Sequence, residues 1–451
     1  LCDRRQRQMC IRDSSCTMIS LGCPKNQVDA EIMLKKLADA GFDVTDSIES
    51  ADVAIINTCG FIDDAKKEAI ETILNVVQYK TDGSLGAVVV TGCLAERYQD
   101  EILKEIPEVD AVIGIGADSD IAKVCLKALC GIQTSFYPNK CNLPINDERL
   151  VSAPFHWAYL KIADGCDNRC AYCAIPSIRG RFRSRTIESI VREAEQLVAG
   201  GAQELILVAQ DTTFYGFDLY GRPALTDLLR ALVKVDGLKW IRLYYCYPDR
   251  LNDELIDLIA SEEKICNYID LPLQHCSQPL LKSMHRYGSF DALSVLIDKL
   301  RARIPDVTLR TTFMVGFPGE TEADFEELCR FTERCRFDKL GVFTFSPEEG
   351  TPAFDYPNQI DESVKLQRFE TLMDIQYSIT EESNQKRVGR VYEAVIDRFE
   401  DGRYYARSYM DAPEIDAAIV LQSDRPLEIG TYCMVKITDF DGYDLIGSVL
   451  S

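Results

Sequence analysis

Short apolar runs rich in Val, Ile and Ala alternate with stretches of helical periodicity through most of the chain. Strands separated by helix-length segments can join one sheet only through crossovers, which confines the chain to parallel α/β architecture. Over residues 18–140 the spacing predicts strands at 18–21, 53–57 and 87–91, with helices at 27–40 and 65–79 among those between them. Residues 141–153, with Asn142 and Pro144 and little periodicity, read as a linker. From 154 to 380 six strands are predicted, at 158–163, 204–209, 240–245, 268–273, 308–314 and 340–345. Six βα units in that length suggest a barrel or partial barrel. Over 384–451 helical periodicity fades. Short β-like runs at 388–397, 404–406, 417–421, 432–438 and 445–449 suggest a small closed β-barrel. A length of 451 residues accommodates these three domains. Residues 1–17 read as an extension, with Met18 as the start of the fold and Cys2, Cys10 and Cys16 outside it.

Eighteen cysteines accompany only three histidines. The opening residues carry Arg4, Arg5, Arg7 and Arg12 without an apolar core segment, so a secretory leader is not expected. A large chain that is not loop-rich needs no disulfide staples, and the thiols read as reduced or metal-bound in a cytoplasm. Cys125, Cys130, Cys246, Cys266, Cys329, Cys335 and Cys433 lie in apolar or helical contexts and are expected in the core. No apolar run of about 18 residues predicts a membrane span. The net charge of −22 argues against coating nucleic acid and favours a basic partner.

Two groups of cysteines stand apart. Cys166, Cys170 and Cys173 share one loop after the first strand of the middle region, in a CxxxCxxC spacing. Three thiolates on such a loop suit an iron–sulfur cluster, and a 4Fe-4S cluster so held keeps one iron open. A zinc knuckle with a distant fourth ligand, or three unrelated thiols, are the alternatives. Cys23, Cys59 and Cys93 are far apart in sequence, yet each follows a predicted strand and precedes a predicted helix. In a parallel sheet such turns gather at the carboxyl edge, beside helix N-termini that favour thiolates. A second 4Fe-4S cluster is one reading; three small residues at tight turns is the other.

The CxxxCxxC loop resembles that of the radical S-adenosylmethionine enzymes. That resemblance implies Cys166, Cys170 and Cys173 as cluster ligands, S-adenosylmethionine on the open iron, and Tyr172 against its adenine. It places further cofactor-binding positions at the strand ends: Gln210 and Asp211, Gln274 within Asp270–Gln274, and Gly316 within Gly316-Phe317-Pro318-Gly319-Glu320-Thr321. A plain loop before a helix capped by Thr321 is the lesser alternative for the last segment, and His275 reads as structural. With the second trio and the terminal barrel, the chain from Met18 onward resembles the methylthiotransferases. Leu21-Gly22-Cys23-Pro24-Lys25-Asn26 and Ile175-Pro176-Ser177-Ile178-Arg179-Gly180 resemble the branch acting on ribosomal protein S twelve.

The resemblance implies a radical-SAM methylthiotransferase with a TRAM-like, OB-like terminal barrel, two 4Fe-4S clusters and S-adenosylmethionine. The cluster on Cys166, Cys170 and Cys173 would cleave S-adenosylmethionine to a 5′-deoxyadenosyl radical. That radical would take hydrogen from an aspartate β-carbon. The cluster on Cys23, Cys59 and Cys93 would deliver sulfur, giving 3-methylthioaspartate. An electron donor such as a flavodoxin or ferredoxin is implied, with no membrane partner and no stable nucleic-acid binding. A tRNA adenosine methylthiotransferase with the same chemistry is the nearest alternative; an iron–sulfur electron carrier and a zinc-dependent RNA-binding protein are more distant ones. Charge bears on the choice. Residues 388–451 hold six Lys/Arg and twelve Asp/Glu, a net −6, whereas a tRNA-binding barrel should be basic. Arg179, Arg181, Arg183 and Arg185 form a basic run beside the cluster loop that could pair with a substrate carboxylate or cap the barrel rim.

Overall fold

A computed structural model describes residues 14–140, 148–152, 154–423 and 425–450. Residues 1–13 of the expected extension, with Cys2 and Cys10, and residues 141–147 and 153 of the expected linker lie outside the described residues. The chain divides into two compact units. The first takes Leu1–Ser152, Ala163–Arg185 and Glu348–Thr351; the second takes Ala153–Ile162, Thr186–Pro347 and Pro352–Ser451.

The first unit is a parallel sheet flanked by helices. Its elements run β1 (Ser15–Ser20), α1 (Pro24–Ala40), β2 (Asp43–Val44), β3 (Val53–Thr58), α2 (Asp63–Thr81), β4 (Ala87–Gly92), α3 (Cys93–Tyr98), α4 (Asp100–Glu105), β5 (Ala111–Ile113), α5 (Ile121–Leu129) and β6 (Thr134–Phe136). The strand order is β2-β1-β3-β4-β5-β6. Every residue of β3 and β4 is buried, as expected of strands covered on both faces. The period-2 alternation divides them cleanly: Val53, Ile55 and Val89 pack with Met33 and Leu37 of α1, while Ala54, Ile56, Val88 and Val90 pack with Ile73 and Val76 of α2. After β7 (Trp157–Lys161), which belongs to the second unit, the chain contributes β8 (Ala163–Asp164), α6 (Ile175–Arg179) and β9 (Arg183–Ser184) to the first.

In the second unit β7, β10 (Glu204–Val208), β11 (Trp240–Leu243), β12 (Ile265–Gln274), β13 (Thr308–Val315) and β14 (Lys339–Thr344) form an open six-stranded sheet in sequential order, all pairings parallel. This is the expected partial barrel. The sequence marks its helix starts: Thr186, Asn252 and Ser289 each accept an N–H from three residues onward, and Thr321 and Asp324 form a reciprocal capping box. The strands β15 (Val391–Glu400), β16 (Arg403–Ser408), β17 (Ile419–Leu421), β18 (Tyr432–Asp441) and β19 (Asp444–Val449) close into a barrel in the order β15-β16-β17-β19-β18. A chain of buried charges holds this barrel to the central sheet. Glu204 accepts from Arg242 (2.8 Å) and Arg407 (2.8 Å); Arg407 also reaches Asp397 (2.6 Å), which in turn bonds His156 (2.8 Å).

Four expectations are corrected. Strand β1 begins at Ser15, not Met18, and Cys16 is fully buried in the core, so residues 15–17 are fold rather than extension. The flanking Ser15 Oγ hydrogen-bonds Ser50 and Asp52, which hides this strand behind a polar start. The boundary at 380–384 falls inside one 26-residue helix, Glu362–Arg387. The cysteine loop, expected within the 154–380 domain, clusters with the first compact unit. Cys130 is exposed, since it caps the C-terminus of α5 instead of facing inward. Cys125, Cys246, Cys266 and Cys335 are buried as expected, and Cys276, which sequence reasoning passed over, is buried too.

Candidate functional site

The three strand-to-helix turns bearing Cys23, Cys59 and Cys93 meet at the carboxyl edge of the first sheet. Two of their glycines show how closely. A Cβ added to Gly22 (φ +94°) would lie 2.7 Å from Cys59 Cβ and 3.1 Å from its Sγ. One added to Gly60 would lie 2.8 Å from Leu94 Cα and 3.1 Å from the Cys93 carbonyl carbon. Only glycine lets the three turns touch.

Asn26, in the first turn of α1, staples the turns together. Its Nδ2 donates to the carbonyls of Leu21 (3.0 Å) and Thr58 (2.9 Å). Its Oδ1 accepts from Cys93 Sγ (3.5 Å) and from Arg179 Nη2 (2.5 Å). Arg97 of α3 fixes the carbonyl of Gly60, next to Cys59, at 3.0 Å, and is itself held by Glu348 at 2.8 Å. Lys66 reaches the same carboxylate at 3.0 Å.

These thiols feel one another and the charges around them. Burial pushes Cys93 up to about 12 and raises Cys59, with the neighbouring thiols adding to both. For Cys23 burial also acts upward, but the charges of Lys25 and Arg179 and the N–H groups of Asn26 and Lys25 outweigh it and leave the thiol below its ordinary value. Dry thiols that do not all ionise unaided are suited to cationic metal, which neutralises the thiolates it binds. Among the described residues no three His, Cys, Asp or Glu side chains close tightly enough for a single metal ion. Three thiols gathered at one edge are the all-sulfur donor set that iron–sulfur clusters take.

Cys166, Cys170 and Cys173 lie in the same unit. Cys166 N donates to Gly180 O (3.1 Å) and Cys173 N to Cys170 O (3.1 Å), so the loop is closed at both ends. Gly165 (φ +79°) has no room for a side chain, since a Cβ would strike the Arg181 carbonyl. Cys166 and Cys170 are buried and Cys173 and Tyr172 are half-buried. Ala174 and Ile178, just past the loop, pack on Cys93 and Ile115. Lys140 adds a polar tie, bonding Glu96 of α3 (2.8 Å) and the Ser177 carbonyl (2.5 Å).

The remaining expected positions lie on the second unit, at the carboxyl ends of β10, β12 and β13. Asp211 is fully buried: its carboxylate caps Phe214 N (3.1 Å), accepts from Thr213 Oγ1 (2.7 Å) and pairs with Arg250. These contacts shape the strand end. Gln210 is half-buried immediately before it. Gln274 has φ +73° where β12 slips register against β13, after Pro272 removes a ladder N–H. Gly316 (φ +74°) donates its N–H to the Glu320 carboxylate, and a Cβ there would strike Lys365. Glu320 is fixed by Arg368 at 3.1 Å. His275 is buried, its Nδ1 accepting Ser277 N at 2.9 Å, in keeping with a structural role.

Of the arginine run, Arg179 is committed to Asp164 and Asp29, and Arg181 to Asp167 at 2.7 Å. Sequence reasoning missed the roles of Asn26, Arg97, Lys140 and Glu348. Asn26 and Arg179 stand within the two quoted motifs and were within reach; Glu348 lies some 250 residues from Arg97 and left no signal.

Comparison with known proteins gives the family and supports the three-part architecture. Family models match at residues 15–114 (Uncharacterized protein family UPF0004), 160–332 (Radical SAM superfamily) and 388–450 (TRAM domain). A protein of Clostridioides difficile (strain 630), named Ribosomal protein uS12 methylthiotransferase RimO, is 48% identical over 434 residues, covering 96% of this chain and 98% of the relative. A protein of the same name from Desulforamulus reducens is 50% identical, again covering 96% and 98%. Among solved structures, the radical S-adenosylmethionine methyltransferase TsrM from Kitasatospora setae aligns with TM-score 0.55 at 15% identity, covering 92% of this chain and 82% of that one. At that identity the likeness is one of fold.

Proposed function

Since the chain belongs to the ribosomal protein uS12 methylthiotransferases, within the radical SAM superfamily, we propose that it places a methylthio group on the β-carbon of an aspartate in that ribosomal protein. It is an enzyme, and the transfer of a methylthio group is its activity. The observation that carries the finer reading is the convergence of Cys23, Cys59 and Cys93, in one compact unit with Cys166, Cys170 and Cys173.

We assign one 4Fe-4S cluster to each trio. When bound, these groups supply one-electron cleavage of S-adenosylmethionine and a source of sulfur, because the inert C–H bond is beyond acid–base chemistry. The chain's own residues do the rest. Asn26, Arg97 and Lys140 hold the turns in register, and the buried setting keeps water from a reactive carbon. Glu320 holds the Gly316 loop, and Asp211 the end of β10, where S-adenosylmethionine is proposed to bind. Tyr172, Gln210, Gln274 and Gly316 remain the proposed contacts. Asp211 stays with them as support.

No helix among the described residues is long and apolar enough to cross a membrane. With no disulfide among the described cysteines, a cytoplasmic setting and a flavodoxin- or ferredoxin-like electron donor complete the proposal. The acidic terminal barrel suits a basic ribosomal protein better than RNA.

The test is anaerobic reconstitution with S-adenosylmethionine and reductant, offering uS12 protein and bulk tRNA separately. Mass spectrometry should find a methylthio group replacing hydrogen on one aspartate of the protein. Transfer to tRNA instead would overturn the substrate reading. Iron and sulfide matching a single cluster would overturn the assignment of two.

A further inference from the structure

Among the described residues of the first unit, Arg179 is the largest fully buried side chain, and its contacts go beyond those of a structural arginine. Nη1 reaches both oxygens of Asp164, at 3.1 and 3.2 Å. Nη2 faces three groups: Asp29 Oδ2 at 3.0 Å, Asn26 Oδ1 at 2.5 Å and Cys93 Sγ at 3.8 Å. The residue itself stands six positions after Cys173, on the short helix that the cysteine loop leads into. One guanidinium, planted beside one thiol trio, therefore ends on a thiol of the other.

A fold staple needs the two carboxylates and nothing more. The approach to sulfur adds something a staple does not need. A guanidinium never loses its proton and so presents a permanent positive donor. Hydrogen bonds to ligand sulfur are among the levers that set iron–sulfur potentials. One-electron reduction by a flavodoxin- or ferredoxin-class donor adds one negative charge to the cluster and its sulfurs. An N–H aimed at that sulfur stabilises the reduced form more than the oxidised one. We propose that Arg179 is a positioning residue that raises the reduction potential of the cluster held by Cys23, Cys59 and Cys93. The inference rests on the two-cluster reading above. Asp29 and Asp164 set its size, since they offset part of the positive charge.

The experiment uses the full-length chain with Cys166, Cys170 and Cys173 all changed to Ala, so that the second cluster alone can load. Iron and sulfide are counted, and the cluster is titrated with dithionite under EPR. Arg179→Met should lower the midpoint so that the reduced-to-oxidised ratio at fixed potential falls about tenfold, which is about 59 mV for a one-electron couple. Arg179→Lys, keeping charge without the planar fork, should lower it less. Asp29→Asn, which keeps the guanidinium and removes a counter-charge, should raise it. If Arg179→Met and Arg179→Lys load the cluster and titrate with the parent, Arg179 is only a staple and the proposal fails. If those variants do not load, Asp29→Asn decides: a midpoint equal to or below the parent's overturns the proposal. A parent that binds no cluster at all refutes the two-cluster reading itself, a result distinct from an unshifted potential.

Discussion

Replacing Arg407 with Met should destabilise the second unit by about 3–5 kcal/mol. Three charge-assisted hydrogen bonds vanish: one to Glu204 at 2.8 Å and two to Asp397 at 2.6 and 3.0 Å. The side chains involved are almost wholly shielded from water; Glu204 and Arg407 keep 1% and 4% of their side-chain exposure. Breaking a buried pair costs about 3–5 kcal/mol, because the partner left behind remains charged and dry. The chain supplies its own reporter. Its two tryptophans, Trp157 and Trp240, sit opposite Glu204 on either side of β10, and the Trp240 ring lies 4.9 Å from Tyr432 of the barrel. Urea unfolding of apo-protein, followed by tryptophan fluorescence, therefore reads the joint directly.

The pH dependence has a definite sign. Burial pushes Glu204 up, but Arg407 and Arg242 outweigh it and hold the carboxyl below its ordinary range; burial likewise opposes, and His156 and Arg407 lower, Asp397. Groups with depressed folded values add stability that is present above the unfolded values, about pH 4, and is lost as pH falls through the folded ones. The gap between wild type and Arg407→Met should thus be full at pH 7 and narrow below about pH 4. A loss under about 1 kcal/mol at pH 7, the worth of an exposed pair, would refute the reasoning.

Three further outcomes are expected. Gly22→Ala, at φ +94° and against Cys59, should cost the protein about one cluster's worth of iron while S-adenosylmethionine cleavage persists; unchanged iron content would show that the turns need not touch. Glu320→Gln weakens the grip on Gly316 N–H, and should raise the KM for S-adenosylmethionine about tenfold, as loss of about 1.4 kcal/mol implies, with a smaller change in kcat. Ile55→Ala, fully buried in β3, should cost about 2–5 kcal/mol in urea unfolding of the first unit, and a loss below 1 kcal/mol would mean the core collapses around it.

Strands β3, β4, β10, β11 and β13 were legible because each is a run of β-branched and apolar residues bounded by polar turns. Strands β2, β5 and β6 have only two or three residues, too few to carry a period. The helix Glu362–Arg387 overran its expected end because buried Gln376, Thr380 and Asn384 continue its inner face with polar side chains, which bond to Phe337 O and Gly442 O among others. The six cysteines announced themselves through residue type and equivalent position. What surrounds them did not: Glu348 and Lys140 act through contacts made only after folding, and no spacing encodes those.

The first unit draws on three stretches of chain, and the last of them, Glu348–Thr351, lies about four-fifths of the way along. During synthesis the N-terminal sheet therefore emerges long before the carboxylate that neutralises Lys66 and Arg97 beside the Cys59 turn. Contacts of such sequence separation form late and slowly. The thiol edge is thus finished by a segment made only after the six-stranded sheet of the second unit, so a shorter nascent chain holds an incompletely braced pocket. Cluster loading that waits for synthesis to pass Thr351 would follow from this threading alone, with no separate timing device.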